Sequence, residues 1–128
     1  HKHRRRQRQM CIRDSQRYYR SATALILPSL APETFGLTVV EAFACGVPAI
    51  VRAAGGSKEL VEDNRTGFVY TTDKQLLNAI EQFVNNPALR DSMGASARAH
   101  FERDFTRHTH RARYLELINK ILGEKTDD

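Results

Sequence analysis

The stretch Pro32-Glu33-Thr34-Phe35-Gly36-Leu37-Thr38-Val39-Val40-Glu41-Ala42-Phe43-Ala44-Cys45-Gly46-Val47-Pro48 constrains the fold of this chain more than any other. It follows an apolar run, Ala24 to Leu27, and precedes a second, Ala49-Ile50-Val51. Leu37 to Ala44 combines good helix formers with an apolar face, and Gly46 followed by Pro48 ends that helix, glycine near its C-cap and proline just beyond. The unit reads as strand, loop, helix, strand.

In a parallel α/β sheet, ligands bind at the loops leaving the carboxyl ends of the strands, and the next helix aims unpaired N–H groups at whatever sits there. A diphosphate suits that position. Gly36 removes a Cβ where the backbone would approach the ligand, and the amides of Gly36, Leu37 and Thr38, with the Thr38 hydroxyl, would be the donors. Glu41 lies about one turn further in. Beside the same phosphate it would meet like-charge repulsion, so it is expected to accept hydrogen bonds from hydroxyls, and a ribose diol fits an ionised carboxylate. Glu33, on the loop side, would face another part of the ligand. Taken alone, the pair also reads as a helix-capping Glu33 and a solvated helical Glu41.

The two glutamates have seven residues between them, in the setting P-E-T-F-G-L-T-V-V-E-A-F-A-C-G-V-P-A-I, followed by G-G-S-K-E-L-V and T-G-F-V-Y. This order closely resembles the retaining family-four glycosyltransferases of GT-B fold, over roughly Ser15 to Leu122 and most densely from Leu27 to Tyr70. The resemblance implies that Glu33 contacts donor sugar hydroxyls and is the catalytic candidate. It implies that the backbone of Phe35 and Gly36 lines the sugar pocket, that Leu37 and Thr38 meet the diphosphate, and that Glu41 holds the ribose. It implies no catalytic metal and no cofactor, the nucleoside diphosphate sugar being a substrate.

The formal charge of +5 suggests a nucleic-acid partner until its location is considered. Lys2, Arg4, Arg5, Arg6, Arg8 and Arg13 against Asp14 account for all of it, and the rest of the chain balances 14 basic against 14 acidic residues. Residues 1–15 are too poor in apolar side chains to fold alone and are expected to be a disordered basic tail. Arg8-Gln9-Met10-Cys11-Ile12-Arg13-Asp14-Ser15 resembles translated sequencing-adaptor read-through, and the chain opens on His1, so the tail is expected to be non-native. The competing reading, a nuclear-localisation or RNA-binding arm, would require it to be native. No nucleic-acid partner is expected.

From residue 16 to 128 the expectation is one α/β unit. Gln16 to Ser21 resembles the end of the helix that precedes the first strand in the family, though Thr23 stands where an Asp is expected. Strands are predicted over Ala22–Leu27, Ala49–Arg52 and Phe68–Tyr70. Ala53 to Ser57 forms an exit loop whose two glycines permit positive φ. Ser57 should cap a short helix to Val61. Asp73–Asn85 predicts an amphipathic helix burying Leu76, Leu77, Ile80, Phe83 and Val84. Further helices are predicted over Leu89–Phe105 and through Tyr114 to Leu122, the three helices covering the sheet faces. Lys58 reads as solvated. Arg107 stands where the family often has Trp, and His108 and His110 face different ways, which argues against a metal site. Cys11 and Cys45 imply no disulfide, and with no span-length apolar run or signal peptide the default location is the cytoplasm.

The fold class is thus predicted as a partial Rossmann-like C-terminal half of a GT-B glycosyltransferase, about three parallel strands with flanking helices and a C-terminal helix pair. The resemblance implies that the first strands, the Arg and Lys that neutralise the diphosphate and the N-terminal acceptor domain lie upstream. The acceptor, a sugar, a lipid or another group, would be held there, and peripheral membrane contact of the parent is compatible with it. The parent is expected to transfer a sugar from a nucleoside diphosphate sugar with retention, and this polypeptide alone to be inactive. The alternatives are a nucleotide-sugar epimerase of GT-B fold and a non-catalytic nucleotide-sugar-binding module. An apolar first strand left at the sheet edge would favour self-association and marginal stability.

Overall fold

The computed structural model describes residues 15–30 and 34–123. Nearly all of the expected basic tail, together with Glu33, therefore lies outside the described residues. A helix over residues 15–21, α1, leads into β1 (Leu25–Leu27), α2 (Leu37–Ala44), β2 (Ala49–Arg52), α3 (Ser57–Leu60) and β3 (Gly67–Tyr70). Three longer helices follow: α4 (Asp73–Asn85), α5 (Pro87–Asp104) and α6 (Arg107–Gly123).

The sheet has the order β1-β2-β3 and is parallel throughout, with Leu25 opposite Ala49 and Ala49 opposite Gly67. Ala49, Ile50 and Val51 are all buried, as expected of a central strand covered on both faces. Strand alternation splits them between two cores. Ala49 and Val51 pack with Val39, Phe43, Leu60 and Ala97 on one side. Ile50 packs with Phe68, Tyr70, Phe83 and Met93 on the other. Helix α5 serves both, giving Met93 and Leu89 to the second core and Ala97 and Phe101 to the first. It passes from one to the other at Gly94, which lies against the Gly46 carbonyl.

Local chemistry explains the element ends. Helix α2 closes in a Schellman motif: Gly46, at φ 72°, donates to the Phe43 carbonyl at 2.9 Å, and Val47 donates to Ala42 at 3.0 Å. Arg98 of α5 donates to the Ala44 carbonyl, one of the last acceptors of α2. Thr72 and Gln75 form a reciprocal capping box at the start of α4. Asn86 ends α4 and caps α5, with Pro87 in the first turn of α5, where its missing N–H costs nothing.

Several expectations are corrected. The first strand begins at Leu25, because the Ala22 amide is still bonded to the Tyr19 carbonyl of α1. The third begins at Gly67 and the fifth helix at Pro87. Ser57 does not cap α3: Gly56 occupies that position, and the Ser57 hydroxyl donates to the Ala54 carbonyl at 3.1 Å. Of the two loop glycines only Gly55 takes positive φ. Leu77 and Val84 are 61% and 66% exposed, since α4 lies over the β3 side of the sheet and buries a narrower stripe through Ala79 and Phe83. Helix α6 buries none of its residues and does not help cover the sheet. Among the described residues no helix is long and apolar enough to cross a membrane.

Candidate functional site

The carboxyl edge of the sheet brings together the loop after β1, the head of α2 and the turn after β2. Gly36 stands at the N-cap of α2 with φ 81° and ψ 53°, a left-handed conformation that favours glycine. A Cβ there would lie 3.3 Å from Leu60 Cδ1 and 3.4 Å from Ser57 Cβ. The missing side chain makes room for α3.

Among the described residues no side chain caps α2, and its first turn carries no acidic residue. The Val39 amide is bonded to the Gly36 carbonyl at 3.0 Å. Among the described residues no acceptor stands against the amides of Leu37 and Thr38. Among the described residues nothing compensates the positive end of the helix, and both Leu37 and Thr38 are exposed. Glu41 follows Leu37 by four residues and Thr38 by three, so all three share one face of the helix. Their spacing along the axis is about 4.5–6 Å. An anion at the amides and a pair of hydroxyls at the carboxylate can be parts of one ligand at that separation.

Glu41 is exposed and accepts a hydrogen bond from the Tyr19 hydroxyl of α1 at 3.2 Å. Both residues line a groove of about 610 Å³ between α1, α2 and α5, which also meets Arg20 and Arg98. Sequence reasoning missed Tyr19; adjacent tyrosines near a helix end carry no signal of which one turns toward a residue 22 positions on.

Phe35 is 46% exposed and meets Phe105 edge to face at 6.2 Å. Phe105 packs on His100 at 5.2 Å, and His100 on Phe43 at 5.8 Å, so an aromatic chain links the site loop to the core. His100 lies 3.8 Å from Glu62 and 3.4 Å from Asp104. Arg103 bridges these carboxylates at 3.1 and 2.7 Å, and Arg113 of α6 reaches Asp104 at 2.6 Å. Burial acts to raise the Glu62 pKa, but the Arg103 hydrogen bond and the charges of Arg65, His100 and Arg103 together hold it below its ordinary value. The Arg113 hydrogen bond, against burial and with help from Arg103, lowers that of Asp104.

Of the sequence-predicted residues, Phe35, Gly36, Leu37, Thr38 and Glu41 come together at the head of α2, while Glu33 falls outside the described residues. Among the described residues no group of His, Cys, Asp and Glu is arranged to hold a metal ion. Cys45 is a free thiol at the end of α2.

Residues 9–100 match the sequence model of the glycosyl transferases group 1 family. The chain belongs to this family. The match begins at residue 9, and so takes in the last residues of the segment set apart above as a tail. Among its relatives, trehalose synthase of Pyrococcus horikoshii is 33% identical over 105 residues, covering 82% of this chain and 25% of that protein. D-inositol 3-phosphate glycosyltransferase of Streptomyces scabiei is 38% identical over 87 residues, 66% of this chain and 19% of that one. The chain thus spans a quarter or less of the length of these two relatives. The crystal structure of Anabaena Alr3699/HepE in complex with UDP-glucose matches it with a TM-score of 0.75 at 28% identity, over 84% of this chain and 30% of that one. The three parallel strands and flanking helices are those of a GT-B glycosyltransferase, as the glutamate-spaced motif implied.

Proposed function

We propose that this chain supplies the donor contacts of a retaining glycosyltransferase, which moves a sugar from a nucleoside diphosphate sugar to an acceptor. The observation that carries the reading is the head of α2, where among the described residues no acceptor stands against the amides of Leu37 and Thr38, one turn from Glu41. The diphosphate accepts from Leu37 and Thr38, the ribose diol donates to Glu41, and the sugar lies toward Glu33, Phe35 and the Gly36 backbone. Glu33 is the catalytic residue in this reading. When the bond from the anomeric carbon to the diphosphate breaks, the leaving group departs with the electron pair, and donors preorganised at a helix head stabilise the charge that develops. The reading needs no metal and no cofactor. It assigns donor binding to this chain and transfer to the whole protein, in the cytoplasm.

Support comes from a neighbour of this fold, Anabaena HepE, crystallised with UDP-glucose. An NMR titration of the isotope-labelled chain with UDP-glucose, GDP-mannose and ADP-glucose tests the assignment. At least one donor should shift the amides of Gly36, Leu37 and Thr38, while free glucose leaves them in place. If all three donors leave residues 34–41 unperturbed at millimolar concentration, the reading is wrong.

A further inference from the structure

The proposal concerns Tyr19, in α1, a helix that the motif does not include. Its hydroxyl donates to Glu41 Oε2 across a sequence separation of 22 residues. A tyrosine phenol is a donor at neutral pH, and burial first, then the charge and hydrogen bond of Glu41, raise its pKa further. A carboxylate offers two oxygens with about four lone-pair sites. Tyr19 occupies one of them on Oε2 and leaves Oε1 and the remainder of Oε2 open.

We propose that Tyr19 is a positioning residue for ribose: it holds the Glu41 carboxylate in the orientation that accepts the two ribose hydroxyls. This rests on the donor-binding reading above. The physical basis is preorganisation. An exposed glutamate on a helix samples many rotamers, and fixing it on binding costs conformational entropy. Tyrosine brings a rigid ring with two side-chain torsions, so a hydrogen bond from it orders the carboxylate in advance and lowers the cost of binding. At 3.2 Å the bond is slack for a hydroxyl–carboxylate pair. The groove beside Glu41, about 610 Å³ and bordered by α1, has room for the nucleoside to reach the carboxylate.

The role makes Tyr19 matter for hydroxyls and not for phosphate. The test compares the chain with its Tyr19→Phe variant, titrated by NMR with UDP and with 2′-deoxy-UDP, after matched melting curves establish that both are folded. Tyr19→Phe should weaken UDP binding about fivefold, the equivalent of one ordinary hydrogen bond, and narrow the preference for UDP over its deoxy form. In a Glu41→Ala background, which removes the acceptor, the same change should have little further effect. Equal weakening of both nucleotides would mean that Tyr19 only supports the fold, and equal binding by variant and parent would mean that it does nothing for the site; either result overturns the proposal and spares the donor-binding reading. If the parent chain binds neither UDP nor any donor sugar, the donor-binding reading fails and the role of Tyr19 fails with it.

Discussion

Gly67 and Ala49 meet backbone to backbone: a Cβ built on Gly67 would stand 1.8 Å from the Ala49 carbonyl oxygen. The two residues are opposed in the parallel β2–β3 ladder, and the Ala49 amide also bonds the Thr66 carbonyl at 3.3 Å. No side chain can enter there without separating the strands. Gly67→Ala should therefore cost about 3 kcal/mol, at the upper end for overpacking, and urea denaturation should show the midpoint falling accordingly.

A second close approach joins the helices. At Gly94 a Cβ would come within 2.4 Å of the Gly46 carbonyl oxygen. Alanine is the better helix former by about 1 kcal/mol, so propensity alone predicts that Gly94→Ala stabilises α5. The overlap is with backbone and should win. A net loss of about 1–3 kcal/mol in chemical denaturation is expected, and a gain would show that α5 can lift from the end of α2 at little cost.

The carboxylates of Glu62 and Asp104 give the fold an acid limit. Both are held below their ordinary pKa by arginines, so each contributes stability that is complete above the unfolded carboxylate range and is lost as pH falls through the lower folded values. The melting temperature should drop on acidification below about pH 4. In the double variant Glu62→Gln/Asp104→Asn, that part of the slope should flatten.

Gly36 and Glu41 separate local strain from ligand contact. Gly36→Ala must hold φ near 81° beside Ser57 and Leu60, which should cost about 1–2 kcal/mol of stability and displace the amides that follow. Glu41→Ala leaves an exposed helix intact, so its melting temperature should hardly move. Its affinity for UDP should fall about tenfold, the loss of hydrogen bonds to a charged acceptor. Calorimetry on both variants checks the contrast.

The parts of this fold that sequence revealed are those decided by near neighbours. Helix α2 runs from Leu37 to Ala44 as its composition and its Gly46-x-Pro48 ending require, and β2 follows from a run too apolar to be anything but central. Periodicity locates α4 to the residue, yet two of the five side chains it puts on the buried face, Leu77 and Val84, are exposed. Periodicity fixes the direction of an apolar stripe and says nothing of how wide a surface awaits it. Ser57 looked like a cap because capping residues also make tight-turn hydrogen bonds, and here the hydroxyl chose the Ala54 carbonyl. Gly94 and Tyr19 were invisible for a different reason. Their partners, Gly46 and Glu41, are close only after the chain has crossed between layers.

The passage of α5 from one core to the other has a consequence for how the molecule comes apart. A two-core protein could in principle lose one layer at a time. Here a single unbroken rod of 18 residues supplies Met93 to one core and Ala97 to the other, barely more than a turn apart. Neither layer can melt without pulling on the other, so the amides of β2 and the middle of α5 should exchange with deuterium through one shared opening, at one common free energy.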